Sequence, residues 1–197
     1  MKRIILFSKF TKKNRNQLCK LLFPKSLRDE VFAYLPCDGK NEPSKYRKMW
    51  REKCASHNTR FVFIDNTSPN ASREASKLMR TNILLLPGGN TFQMLYNLKK
   101  SGLDKIIKKI AKQENHIIAG FSAGALVLTP TIKVCLEDKY DKNEINLQDL
   151  SGINVVDFEV LPHYLPEKDK QILKNYQNKT NNMVKPITDD EYILIEN

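Results

Sequence analysis

Short apolar runs alternate along this chain with stretches of helical period. Ile4–Phe7, Val31–Leu35, Arg60–Asp65, Ile83–Leu86 and His116–Phe121 read as five strands. Most of these runs are nearly unbroken in aliphatic and aromatic side chains, the pattern of strands covered on both faces. Between them, Lys12–Phe23, Ser44–His57, Asn70–Arg80 and Leu103–Lys112 read as helices. So does a segment capped by Thr91 that carries Phe92, Leu95 and Leu98 on one face. Beyond Ser122 the order loosens. Lys133–Leu136 and Glu159–Leu161 read as strands, Glu167–Asn178 as a helix, and Val184–Ile187 with Tyr192–Ile195 as a closing pair of strands. Alternating strands and helices predict an α/β fold with a mostly parallel sheet and helices on both faces. In such sheets ligands bind outside the carboxyl ends of the strands.

Composition narrows this picture. The 197 residues, 41% hydrophobic, fit one domain, 1–197, with a real core. No run approaches the ~18 apolar residues of a membrane span. Met1–Ser8 is too short in its apolar part for a signal peptide, so it reads as the first strand. Cys19, Cys37, Cys54 and Cys135 are scattered and form no metal-ligand spacing. The expectation is a reduced, cytoplasmic protein without a disulfide framework. The net charge of +11 comes from lysines spread over the polar sides of helices, Lys99, Lys100, Lys105, Lys108, Lys109 and Lys112 among them. With no nucleic-acid-binding motif present, this reads as a solvated basic surface with neither a nucleic acid nor a membrane as partner. A nucleic-acid-binding protein is the rival class that the charge alone motivates. A weaker consequence of the charge is a field that draws anionic substrates.

Candidate chemistry sits at two glycine-bearing turns that follow strands. Gly120-Phe121-Ser122-Ala123-Gly124 has the G-x-S-x-G form of a nucleophile elbow, in which a tight strand-to-helix turn pushes the serine hydroxyl above the sheet. The N–H of Ala123 then faces the same space and supplies half of an oxyanion hole. Gly88-Gly89, after Leu86, brings further backbone N–H groups toward an oxyanion. A serine needs a base, and the base an acid to orient it. Of the three histidines, His57 ends a charged helix and His116 opens a strand at the wrong end. His163, after Glu159-Val160-Leu161-Pro162, lies at a strand exit. For the acid, Glu137, Asp138 and Asp157 all stay open.

Taken together, Pro87-Gly88-Gly89-Asn90-Thr91-Phe92, Gly120-Phe121-Ser122-Ala123-Gly124-Ala125, Pro130-Thr131-Ile132 and Leu161-Pro162-His163-Tyr164 resemble peptidase family S51, the peptidase E or aspartyl dipeptidase type, in order and spacing. The resemblance runs from the first strand to the C-terminus. It implies a three-layer α/β/α fold like that of class I glutamine amidotransferases, flavodoxin-like, and a serine peptidase acting on small peptides, dipeptides with N-terminal aspartate among them. Ser122 would be the nucleophile and His163 the base. Gly88, Gly89, Asn90 and Ala123 would form the oxyanion and substrate wall. The family's acid position, fifteen residues after the nucleophile, falls on Glu137. No cofactor or metal is implied, and the chain is expected to be a monomer or homodimer. The chain departs from the aspartyl dipeptidase pattern at Leu126, where the family has Asn. It also departs in its short loop Tyr164–Lys168; Lys168, or Lys170 just beyond it, could stand in as a point charge for the family's substrate-binding Arg, without its bidentate geometry. A Glu at the acid position, where the family usually has Asp, and the altered substrate loop motivate the alternative of a non-catalytic homologue that binds a small ligand or partner.

Overall fold

A computed structural model describes residues 2–24, 30–137 and 141–196. Strands β1 (Arg3–Phe7), β2 (Val31–Tyr34), β3 (Arg60–Phe63), β4 (Ile83–Leu86), β5 (Ile117–Phe121) and β8 (Tyr192–Glu196) form one sheet in the order β3-β2-β4-β5-β1-β8. All neighbours are parallel except β8, which runs antiparallel to β1. β6 (Glu159–Leu161) and β7 (Val184–Pro186) form a separate parallel pair.

Side-chain alternation splits the core into two layers. Ile5, Phe7, Phe32, Tyr34, Ile83, Leu85, Ile117 and Ala119 face one layer, against Leu18 and Leu22 of helix α1 (Arg15–Leu22) and Trp50 and Cys54 of α2 (Ser44–Ser56). Ile4, Leu6, Ala33, Leu84, Leu86 and Ile118 face the other. That face is covered by α3 (Ala71–Leu78), α4 (Thr91–Ser101), α5 (Leu103–Ile110), α6 (Ala123–Val127) and α7 (Pro166–Gln177). Strands buried on both sides account for their continuous apolar character. The expected three-layer α/β/α architecture with a mostly parallel sheet is present. Among the described residues no helix is long and apolar enough to cross a membrane.

Three expectations change. Lys133–Leu136 is a 3₁₀ turn, not a strand: Cys135 N–H donates to Ile132 O and Glu137 N–H to Val134 O, while adjacent Val134 and Cys135 are both buried. A strand would turn those neighbours to opposite faces. The last two strands do not pair with each other, because β7 finds β6 and β8 finds β1. Finally, α4 is capped by Asn90, whose Oδ1 accepts from Gln93 N–H at 3.0 Å. Thr91 instead donates its N–H and hydroxyl to Asp141.

Candidate active site

The elbow is built from contacts that leave no room for side chains. A Cβ on Gly124 would sit 2.0 Å from Leu86 O, and one on Gly120 2.3 Å from Gly124 O. The helix α6 can therefore press directly on the β4 and β5 exits only because both positions are glycine. Ser122, between them, has φ 52° and ψ −117°. A non-glycine residue held there stores strain, which the surroundings must hold in place. They do so from both sides: Ser122 N–H donates to Phe7 O at 3.0 Å, and Gly124 N–H to Pro87 O at 3.0 Å. Ala123 opens α6, so its N–H has no acceptor within the helix.

Facing the elbow, Gly89 has φ 143°, and a Cβ there would meet Cys37 Cβ at 2.6 Å. The turn is thus wedged against the β2 exit. A Cβ on Gly88 would lie 3.4 Å from Ser122 Cβ, which shows how near this turn comes to the nucleophile. Asn90 lines the same space, but its side chain is committed to the α4 cap and to Lys142 O at 3.0 Å. It shapes the wall rather than offering a free amide.

His163 Nε2 is 3.0 Å from Ser122 Oγ, and His163 Nδ1 is 2.7 Å from Asp189 Oδ1. With Nδ1–H donating to the carboxylate, Nε2 is the acceptor for the serine proton. His163 itself has φ 55° and is held by Ser8, whose Oγ accepts from His163 N–H at 2.9 Å and donates to Ile187 O at 2.9 Å. Asp189 is fixed in turn by an ion pair to Lys9 at 2.5 Å, and its carbonyl accepts from Asn14 Nδ2 at 3.1 Å. Burial works against the charge of Asp189. The hydrogen bonds from Lys9 and His163 outweigh it and hold the carboxyl below its ordinary value.

The carboxylates expected to orient the base lie elsewhere. Glu137 accepts from Lys179 at 2.9 Å, beyond the 3₁₀ turn. Asp157 is exposed before β6, at the opposite end of that strand from His163. Asp138 lies outside the described residues. Asp189 drew no notice in the sequence because it lies between Val184–Ile187 and Tyr192–Ile195, which read as a closing pair of strands. The parallel pairing of Leu161 with Pro186 instead sets the exits of β6 and β7 side by side. His163 and Asp189 follow those two exits, two and three residues on. The usable signal was an acidic cluster just after a short apolar run.

Of the other positions, Leu126 lies on α6 and is buried in the core. Lys168 and Lys170 are exposed on α7. His57 stacks on Phe23 with ring centroids 4.3 Å apart, and His116 Nδ1 lies 2.9 Å from Glu114 O. Among the described residues no cluster of His, Cys, Asp or Glu is arranged to hold a metal ion.

Beside the elbow a cleft of about 650 Å³ opens, within the roughly 300–1,000 Å³ range of small-molecule sites. Phe10, Tyr34, Trp50 and Phe121 form its aromatic floor, with the Pro87–Asn90 turn as one wall.

A family model described as peptidase family S51 matches residues 4–197. An uncharacterized peptidase of Listeria monocytogenes is 33% identical over 137 residues, 67% of this chain and 65% of that protein, so the match spans less than two-thirds of the relative's length. Peptidase E of Escherichia coli is 32% identical over 91 residues, 45% of this chain and 38% of that protein. A crystal structure of a Listeria monocytogenes protein provisionally assigned as a peptidase E superposes with a TM-score of 0.76 at 27% identity. It covers 99% of this chain and 94% of that one.

Proposed function

This chain belongs to peptidase family S51, and we propose that it works as a serine-type peptidase on short peptides, through Ser122, His163 and Asp189. The observation that carries this reading is the continuous line from Ser122 Oγ to His163 Nε2 at 3.0 Å and from His163 Nδ1 to Asp189 at 2.7 Å, set on a strained elbow.

Each step has a group to perform it. Ser122 Oγ attacks the scissile carbonyl carbon while His163 Nε2 takes the hydroxyl proton. The negative charge that develops on the carbonyl oxygen is met by the N–H groups of Ala123 and Gly89. The tetrahedral adduct collapses as the imidazolium passes its proton to the amine nitrogen, and the C–N bond breaks. Water, deprotonated by the same imidazole, then cleaves the acyl-serine ester and frees the hydroxyl. Asp189 stabilises the transient imidazolium and fixes its tautomer without itself accepting a proton. The small volume of the cleft favours a short peptide over a folded protein. The buried thiols of Cys37, Cys54 and Cys135 fit a reducing, cytoplasmic setting.

The test combines labelling by a fluorophosphonate with hydrolysis of a dipeptide panel, for wild type and Ser122→Ala. Labelling and cleavage that both vanish in the variant are expected. A wild-type protein that melts cooperatively yet neither labels nor cleaves would instead be a binding homologue that has kept the elbow.

A further inference from the structure

The cleft and the acid–base pair lie on opposite sides of the nucleophile. In the sheet, β5 carries Ser122 at its exit, β1 and β8 lie on one side, and β4 and β2 on the other. His163 is anchored on the first side, by Ser8 after β1 and Asp189 before β8. The cleft is built mostly on the second side, from residues after β2 and β4 and from α2, with Phe121 at the end of β5 and Phe10 after β1 completing its floor. The leaving amine departs beside the imidazole that protonates it. The acyl part of the substrate must then extend the other way, past the oxyanion wall and into the cleft. For a peptide cut after its first residue, that part is the N-terminal residue.

The chemistry of the cleft is at odds with the charge of the chain. Despite a net charge of +11, no lysine or arginine lines it among the described residues. Phe10, Trp50, Tyr46, Met49 and Phe121 supply apolar and aromatic surface, and Tyr46 and Met49 are 43% and 47% exposed. Two carboxylates, Asp38 and Glu42, stand at the rim. Glu42 Oε1 accepts from Tyr34 OH at 2.7 Å, whereas Glu42 Oε2 is buried with no hydrogen-bond partner among the described residues. A buried carboxylate oxygen without a donor is costly; Arg47 opposes the charge of Glu42 without bonding this oxygen, and an ammonium that displaced the rim and reached Glu42 would supply the missing donor.

Resting on the serine-peptidase reading above, we infer that the site selects short peptides whose first residue has a large apolar or aromatic side chain and a free α-ammonium, the side chain filling the aromatic cleft and the ammonium meeting Glu42 and Asp38. An N-terminal aspartate would bring a third carboxylate beside Asp38 and Glu42, on a wall that no lysine or arginine lines among the described residues, so the cleft disfavours it.

The experiment compares Phe-Ala, Leu-Ala, Asp-Ala and N-acetyl-Phe-Ala, with fluorophosphonate labelling run in parallel as an independent report on the nucleophile. Phe-Ala and Leu-Ala should exceed Asp-Ala in kcat/KM by about 10-fold or more, and acetylation should cost a similar factor. Glu42→Gln should raise KM for Phe-Ala about 10-fold, leave kcat within about 3-fold and spare the acetylated peptide. A purely structural role for Glu42 would not separate the two peptides. Met49→Arg, which places a cation in the cleft, should shift preference toward Asp-Ala. A labelled protein that prefers Asp-Ala, ignores acetylation or cleaves none of the panel overturns this inference and leaves the nucleophile standing. A well-folded protein that neither labels nor cleaves overturns the serine-peptidase reading, and the inference with it.

Discussion

The two halves of the candidate site are held by different physics. The elbow around Ser122 is steric: glycines at 120 and 124 let backbone touch backbone, and the four residues after Ser122 are buried. The corner around His163 is polar and partly open, its His163 and Asp189 side chains 36% and 32% exposed. It is assembled from Ser8–Lys9, His163 and Asp189, segments far apart in the chain that meet through hydrogen bonds and one ion pair. Packing forgives little and can be written into five adjacent residues. A polar corner tolerates adjustment, but it exists only once three strands have found their places.

Substitutions that strike one half and spare the other sharpen this contrast. The largest effect belongs to Ser122→Ala, which should lower peptide hydrolysis by about 10⁴-fold or more. Its urea midpoint should stay near wild type, because alanine keeps the same backbone. Ser122→Gly should be equally inactive yet melt higher than the alanine variant, as glycine relieves the positive φ at a gain of about 1 kcal/mol. Equal midpoints for the two would show that the elbow stores no strain.

Asp189→Asn comes next, with a fall in kcat of about 10³–10⁴-fold, because the amide favours the wrong imidazole tautomer. Glu137→Gln in parallel should change kcat less than about 3-fold. The reverse ranking would return the acid role to Glu137. The same Asp189 variant tests a pH dependence. A carboxyl held below its ordinary value when folded stabilises the protein above its unfolded pKa, about 3.9, and that stabilisation is lost as pH falls through the folded value. Denaturant titrations from pH 6 to pH 2 should show wild type losing more stability than Asp189→Asn.

Gly124→Ala aims at the steric half and should cost roughly 3 kcal/mol or more, since its Cβ collides with Leu86 O and Pro87 O, which are backbone. Activity should fall only in step with folding loss and elbow displacement, read by labelling of the folded fraction. Ser8→Ala is the smallest change. It removes the hydrogen bond from His163 N–H to Ser8 Oγ, at a cost of about 1 kcal/mol. A drop in kcat of roughly 10-fold with KM unchanged would mark Ser8 as a residue that positions the base.

The residues singled out in the chain for the first half of the candidate site lie together in the structure, whereas the second half brings in one that the chain did not single out. The strands up to Phe121, the elbow and the Gly88–Gly89 turn were legible because each is signalled by neighbours in sequence: apolar runs for strands, paired glycines for close approach. His163 was legible by elimination among three histidines and by its strand exit. Asp189 was not, because its role depends on β7 pairing with β6 in parallel rather than with β8 in a hairpin. Glu137 fell at the family's expected spacing, yet the 3₁₀ turn directs it to Lys179. Asn90 was recognised at the wall, but its duty as a helix cap follows from where α4 begins.

What the sequence determined by itself is therefore local and steric. It set the alternation of buried strands and amphipathic helices, the strained serine between glycines, and membership of a family through four ordered motifs. Tertiary structure alone decided which carboxylate reaches the imidazole, which side of the nucleophile carries the cleft, and why a basic chain presents that cleft as aromatic and acidic. The reason lies in the range of the interactions. Backbone sterics and side-chain periodicity act over a few residues and leave a trace in neighbouring letters. Hydrogen bonds at 3 Å between residues 8, 122, 163 and 189 depend on strand order, which no short window of sequence contains.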